Sequence, residues 1–158
     1  MIILGIDPWL ETIWFWVISY MKWNFEAIDY WVIKTSKTSS FEDRLVQIQE
    51  DFVSLIEEFN PKILSIEKLY FWTNITNAIS VAHVRWILVV EATKKWIPII
   101  EFSPNEIKSM ICWYWKAEKS QIQFMITEYL KLESVPRPDD VSDALAIAIC
   151  WAFSFERN

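Results

Sequence analysis

Residues 1–8 read MIILGIDP, from Met1 to Pro8. Apolar residues lead into Gly5 and Ile6, and a single carboxylate, Asp7, precedes the turn signal of Pro8. A short apolar run closed by such a signal predicts a buried strand. Asp7 is therefore expected near the carboxyl end of a central strand. A carboxylate taken out of water is unfavourable unless it is paired, hydrogen-bonded or bound to a metal. Taken alone, Asp7 fits a residue that starts a turn equally well, so its role depends on partners elsewhere in the chain.

Working outward, residues 13–20 (IWFWVISY) and 25–34 predict two more strands, with a tight turn near Asn24. Connections this short predict an antiparallel meander. Ser39-Ser40-Phe41-Glu42 reads as an S-x-x-E capping box. It opens a helix whose apolar positions, Phe41, Leu45, Ile48, Phe52, Leu55, Ile56 and Phe59, keep a helical period. Asn60-Pro61 ends that helix, and residues 63–66 form a fourth strand leading into Glu67. A strand–helix–strand crossover makes that strand parallel to its neighbour. A long helix at about 75–95 carries the only histidine, His83, for which a structural role is expected. A fifth strand at 98–102 follows, then helices at 104–112 (Ser103 as N-cap, Pro104 first), 120–132 and 140–155. Residues 113–118 form a basic loop, and Pro136-Arg137-Pro138 breaks the chain before the last helix. The expected architecture is one α/β domain spanning 1–158: a mixed five-stranded sheet, three strands antiparallel and two parallel, flanked by helices.

With 15 Lys+Arg against 21 Asp+Glu the formal net charge is −6, which argues weakly against a polyanionic partner. Local patches can differ from that sum. The two cysteines, Cys112 and Cys150, lack CxxC spacing, so neither a disulfide framework nor a zinc site is expected, and a reducing compartment is. No basic segment precedes the first apolar run, and the longest apolar run, 144–153, is too short to span a bilayer. The expectation is a cytoplasmic protein with no membrane partner.

One feature of the composition is abnormal: Gly 1 against Trp 11. Eleven in 158 is close to the share glycine usually takes, roughly 7%. Several of these tryptophans stand where turn chemistry favours glycine. Trp9 follows Asp7-Pro8, Trp31 interrupts a strand pattern, Trp96 sits at a helix-stop position, and Trp113 and Trp115 flank Tyr114 in a loop. The pattern is the one expected if a reassigned UGA codon, glycine in the source, has been read as tryptophan. A literally tryptophan-rich protein is the alternative.

Acidic residues collect at the expected strand ends. Asp7 ends the first strand and Glu67 the fourth, and sites in α/β sheets form beyond the carboxyl ends of strands. Asp140 and Asp143 are three apart at the start of the last helix and share a face. With Asp139, they also suit plain helix capping and dipole pairing. Four converging carboxylates repel, and hard divalent cations such as Mg²⁺ relieve that repulsion through oxygen ligands. Two such ions about 4 Å apart are common machinery for phosphodiester cleavage.

Four blocks in order then resemble the RuvC-type crossover junction endodeoxyribonucleases, of ribonuclease H-like fold. They are LGIDPWLETIWFWVI (4–18), IEKLYF (66–71), WYWKAEKSQ (113–121) and DVSDALAIA (140–148). The family pattern has glycine where this chain has Trp9, Trp14, Trp16, Trp113 and Trp115. The resemblance covers nearly the whole chain. It implies a homodimer that binds four-way (Holliday) DNA junctions in recombination and repair and makes paired symmetric nicks. Asp7, Glu67, Asp140 and Asp143 would be its catalytic metal ligands, for two Mg²⁺ ions with Mn²⁺ as a substitute. Lys119 and Lys116 would contact phosphate, and Tyr70 would stack on a base. Each has a plain counterpart, a solvated basic loop or a core aromatic. A branch-migration motor is a further implied partner.

Three other readings compete. GID followed by a turn also resembles the first phosphate loop of actin-like ATPases and sugar kinases, but their second phosphate motif is missing. A related nuclease of the same fold acting on other nucleic acids, and a module that binds junctions without cutting, complete the set.

Overall fold

The computed structural model of the chain describes residues 1–68, 75–137 and 139–155, without the side chains of 75–77, 139 and 140. Among these, the strands β1 (Ile2–Pro8), β2 (Thr12–Met21), β3 (Asn24–Lys34), β4 (Ile63–Glu67) and β5 (Ile99–Phe102) form one sheet, in the order β3-β2-β1-β4-β5. β1–β2 and β2–β3 pair antiparallel, while β1–β4 and β4–β5 pair parallel. The helices are α1 (Phe41–Phe59), α2 (Ile75–Lys94), α3 (Pro104–Cys112), α4 (Lys119–Leu130) and α5 (Asp139–Phe155). This is the mixed sheet expected from the sequence.

Strand periodicity divides the core in two. Leu4 and Ile6 of β1 and Leu64 and Ile66 of β4 join Phe52, Leu55, Val84 and Leu88 under α1 and α2. Their alternate neighbours face α5, because successive strand side chains point to opposite sides of the sheet. That second core gathers Ile3, Ile18 and Tyr20 against Ala144, Leu145, Ala148 and Ile149. The same alternation assigns Gly5 and Asp7 of β1, and Ser65 and Glu67 of β4, to the α5 side.

Two local features differ from the sequence reading. The cap of α1 lies one residue later than expected: Ser40 is the N-cap, and its side chain accepts from Asp43 N at 3.0 Å. A side chain caps the amide three residues on, so Glu42 falls in the first turn, where its charge suits the helix dipole. Helix α4 begins at Lys119, where Glu118 N donates to Gln121 Oε1 at 2.9 Å, and ends at Leu130. Ser103, by contrast, caps α3 as anticipated, in a complete capping box with Glu106. His83 is structural: its Nδ1 lies 2.7 Å from the Ile79 carbonyl, and its ring packs edge-on against Phe41 at 5.3 Å.

Candidate active site

Ile6 of β1 pairs in parallel register with Ile66 of β4. The next residue on each strand is a carboxylate, Asp7 and Glu67. Both fall on the α5 side, at the carboxyl end of the two central parallel strands. Asp7 is buried, at 6% exposure, and its Oδ1 accepts from the Trp9 indole N–H at 3.0 Å. Across the other edge of β1, Asp7 pairs with Trp14 and Gly5 with Trp16.

Two contacts fix where α5 crosses the sheet. The first is an approach of backbones at Gly5, where a Cβ would stand 2.3 Å from Ala144 O and 2.6 Å from Ala148 Cβ. Only glycine admits a helix this close to a strand. The second is the buried Ser65 hydroxyl, which donates to Ile147 O at 2.6 Å. An isolated glycine in an apolar strand is the sequence signal for the first contact. No signal marks the second, because Ser65 reads as a small strand residue until its partner is known.

So placed, α5 brings Asp143 within electrostatic reach of Glu67. Burial, and next the Asp143 carboxylate, push Glu67 up to about 7 from an ordinary 4.5. Glu67 therefore holds a proton easily near neutrality, as a poorly solvated carboxylate beside a like charge does. Asp143 also meets the ammonium of Lys119, Oδ2 to Nζ 3.0 Å, across from the first residue of α4. Lys68, the neighbour of Glu67, turns to Glu106 instead, at 3.4 Å.

Of the residues singled out in the sequence, Asp7, Glu67, Asp143 and Lys119 share this end of the sheet. Asp140 belongs to the first turn of α5, three residues before Asp143, and its side chain is outside the described residues. Tyr70 also lies outside the described residues. Lys116 is exposed, with its ammonium 4.7 Å from the centre of the Trp115 ring. Among the described residues no three His, Cys, Asp or Glu side chains are gathered closely enough to hold a metal ion. The chemistry of the donors, rather than their spacing, suits one. Asp7, Glu67 and Asp143 offer hard oxygens, and the charge conflict between Glu67 and Asp143 is what a divalent cation relieves.

The family described as "Crossover junction endodeoxyribonuclease RuvC" matches residues 3–151. A protein of that name from Petrotoga mobilis is 43% identical over 158 residues, covering 100% of this chain and 96% of the relative. One from Ruminiclostridium cellulolyticum is 41% identical over 150 residues, covering 95% and 90%. The structure of Thermus thermophilus RuvC in complex with a Holliday junction substrate superposes with a TM-score of 0.94 at 25% identity, over 99% of this chain and 96% of that one.

Proposed function

The chain belongs to the RuvC family of crossover junction endodeoxyribonucleases, and from that premise we propose how its own residues perform the work. The protein is an endonuclease that resolves four-way DNA junctions by hydrolysing phosphodiester bonds, in recombination and repair. The carrying observation is the pair Asp7 and Glu67, set side by side by parallel register and faced by Asp143.

In this reading Asp7, Glu67, Asp140 and Asp143 hold two divalent cations, Mg²⁺ with Mn²⁺ as substitute. Those carboxylates would hold the ions, which would supply activation of a water and neutralisation of charge on the leaving oxygen. The protein's part is to fix the carboxylates on rigid elements. β1 and β4 set Asp7 and Glu67, and the Gly5 and Ser65 contacts set the height of Asp143. Lys119 balances the charge of Asp143 and reaches a backbone phosphate when DNA arrives. Lys116 contacts phosphate as well, and Tyr70 stacks on a base.

Two matched nicks require two such sites. Helix α2 carries Ile79, Trp86 and Val90 exposed on one face, 50%, 67% and 44%, with His83 between them. That i, i+4, i+7, i+11 spacing is the stripe a second copy of the chain covers, which supports a homodimer. A branch-migration motor is the further partner of this reading. No helix among the described residues is long and apolar enough to cross a membrane, and action on DNA fits the cytoplasm.

Incubation of a synthetic four-way junction with the protein in Mg²⁺, beside a linear duplex of the same sequence, tests the reading. Paired nicks near the junction centre, absent on the duplex and lost in Asp7→Asn, are expected. Equal cutting of the duplex would indicate a broader nuclease, and junction binding without nicks a non-cutting module. Either outcome overturns the proposal.

A further inference from the structure

We infer that Trp23, Trp96 and Trp113, and with them Trp9, Trp14 and Trp16, occupy positions that are glycine in the protein made by its own cell, through UGA codons read there as glycine. Composition points to such recoding, and the backbone carries it independently.

Three of the tryptophans lie in the left-handed region: Trp23 at φ 64°, Trp96 at φ 57° and Trp113 at φ 59°. The conformation is unfavourable for a bulky L-residue, by an amount that shifts a folding equilibrium about five- to thirtyfold per position. Each of the three sits in a different motif, and glycine is the favoured residue in all of them. Lys22 and Trp23, φ 46° and 64°, are the central residues of the two-residue β2–β3 turn. Two positive φ values in such a turn mark type I′, which favours glycine second. Trp96 follows α2, where its N–H donates to Thr93 O at 3.0 Å and Ile97 N–H to Ala92 O at 3.0 Å. Those two bonds are the Schellman pattern, with Trp96 in the place glycine takes. Trp113 ends α3 in the same left-handed conformation, ψ 16°, and the residue is 80% exposed. Asn60, Lys22 and Lys131 also have positive φ. Asn tolerates it, and the two lysines bear the same Cβ strain, so the case rests on the turn and Schellman positions that favour glycine and on Trp96 being 92% exposed, without packing to offset that strain.

A different observation covers the sheet. The indole nitrogens of Trp14 and Trp16 are buried without a hydrogen-bond partner. A buried donor lacking an acceptor is destabilising, and tryptophan is ordinarily placed where its N–H is satisfied. Both residues face α5, directly across from Asp7 and Gly5. Glycine there removes the orphan donors and opens the sheet surface beside the carboxylates. Glycine at position 9 removes the indole that occupies Asp7 Oδ1. This consequence for the site rests on the nuclease reading, whereas the backbone argument does not.

The codons at 9, 14, 16, 23, 96 and 113 are read first. UGA at all six is expected, and UGG at any of 23, 96 or 113 overturns the inference. The protein is then made with tryptophan throughout and with Trp23→Gly, Trp96→Gly and Trp113→Gly together. The triple variant should unfold at higher denaturant, with the folded fraction favoured about fivefold or more per position. A lower midpoint overturns the inference. Trp9→Gly, Trp14→Gly and Trp16→Gly together should raise junction cleavage at least tenfold. An unchanged rate in a protein that does cut overturns that part. Failure of every form to cut overturns the nuclease reading alone, since codons and unfolding midpoints decide the recoding separately.

Discussion

Gly5 on β1 lies directly against Ala144 on α5: a Cβ added at Gly5 would stand 2.3 Å from the Ala144 carbonyl oxygen. The obstacle is backbone, which has no rotamer through which to yield. The approach of the last helix to the sheet is therefore set two residues before Asp7 and one residue after Asp143.

Gly5→Ala is expected to lift α5 from the sheet and destabilise the protein by about 1–3 kcal/mol or more. Cleavage should fall further than the loss of folded protein explains, because Asp143 moves with the helix. Urea unfolding beside junction cleavage checks this, and an unchanged midpoint would show that the approach is softer than the geometry states. Ser65→Ala, which removes only the hydroxyl donated to Ile147 O, should be milder, about 1–2 kcal/mol.

Glu67 supplies a pH signature. Its folded-state value of about 7 lies above the ordinary 4.5, so the folded protein binds more protons than the unfolded one between those values. Stability in metal-free buffer should therefore be greatest below about pH 4.5 as far as this group is concerned. It should decline as pH rises to about 7, then level off. Glu67→Gln should remove that decline and gain about 1–3 kcal/mol at pH 8, where the wild-type carboxylate is charged, while abolishing cleavage. A residue that stabilises when replaced and yet is needed for turnover is a functional one. Chemical denaturation at pH 5 and pH 8 measures both arms, and a Glu67→Gln protein no more stable at pH 8 would count against the geometry.

The ion pair between Lys119 and Asp143 is partly exposed on both sides, and pairs of that kind contribute only about 0–1 kcal/mol to folding. Lys119→Ala should accordingly leave the unfolding midpoint within that margin. It should lower single-turnover cleavage about a hundredfold, the scale of removing one charge-stabilising donor. A comparable drop in a Lys116→Ala control would indicate general loss of DNA affinity instead. Binding of both variants across a salt series separates the cases, since the salt dependence grows shallower with every phosphate the protein no longer neutralises.

If the α2 stripe joins two copies of the chain, a charge placed in it must disrupt assembly. Val90→Glu should convert the protein to a monomer by light scattering while leaving its helical content intact, because Val90 is 44% exposed in the single chain. The monomer should nick junctions singly rather than in pairs.

Much of this protein is determined locally. The first eight residues announce a strand ending in a carboxylate, and the apolar periods along 13–34 and 41–59 specify the meander and the crossover helix. These signals need only neighbours two to four residues away, and a sequence displays such neighbours. Even the left-handed turn after α2 is visible, as a helix stop at Trp96. Between Ser39 and Ser40 as cap of α1, by contrast, backbone geometry alone decides. That Asp7 and Glu67 share a face needs the parallel register of β1 and β4 as well as the alternation along each strand. The properties of the site itself come only from tertiary structure. That burial, and next Asp143, raises the pKa of Glu67, that Lys119 meets Asp143, and that Ser65 ties β4 to Ile147 all join residues remote in the chain. Desolvation and Coulomb interaction depend on distance through space and on what excludes water, and neither is fixed until α5 has settled against Gly5.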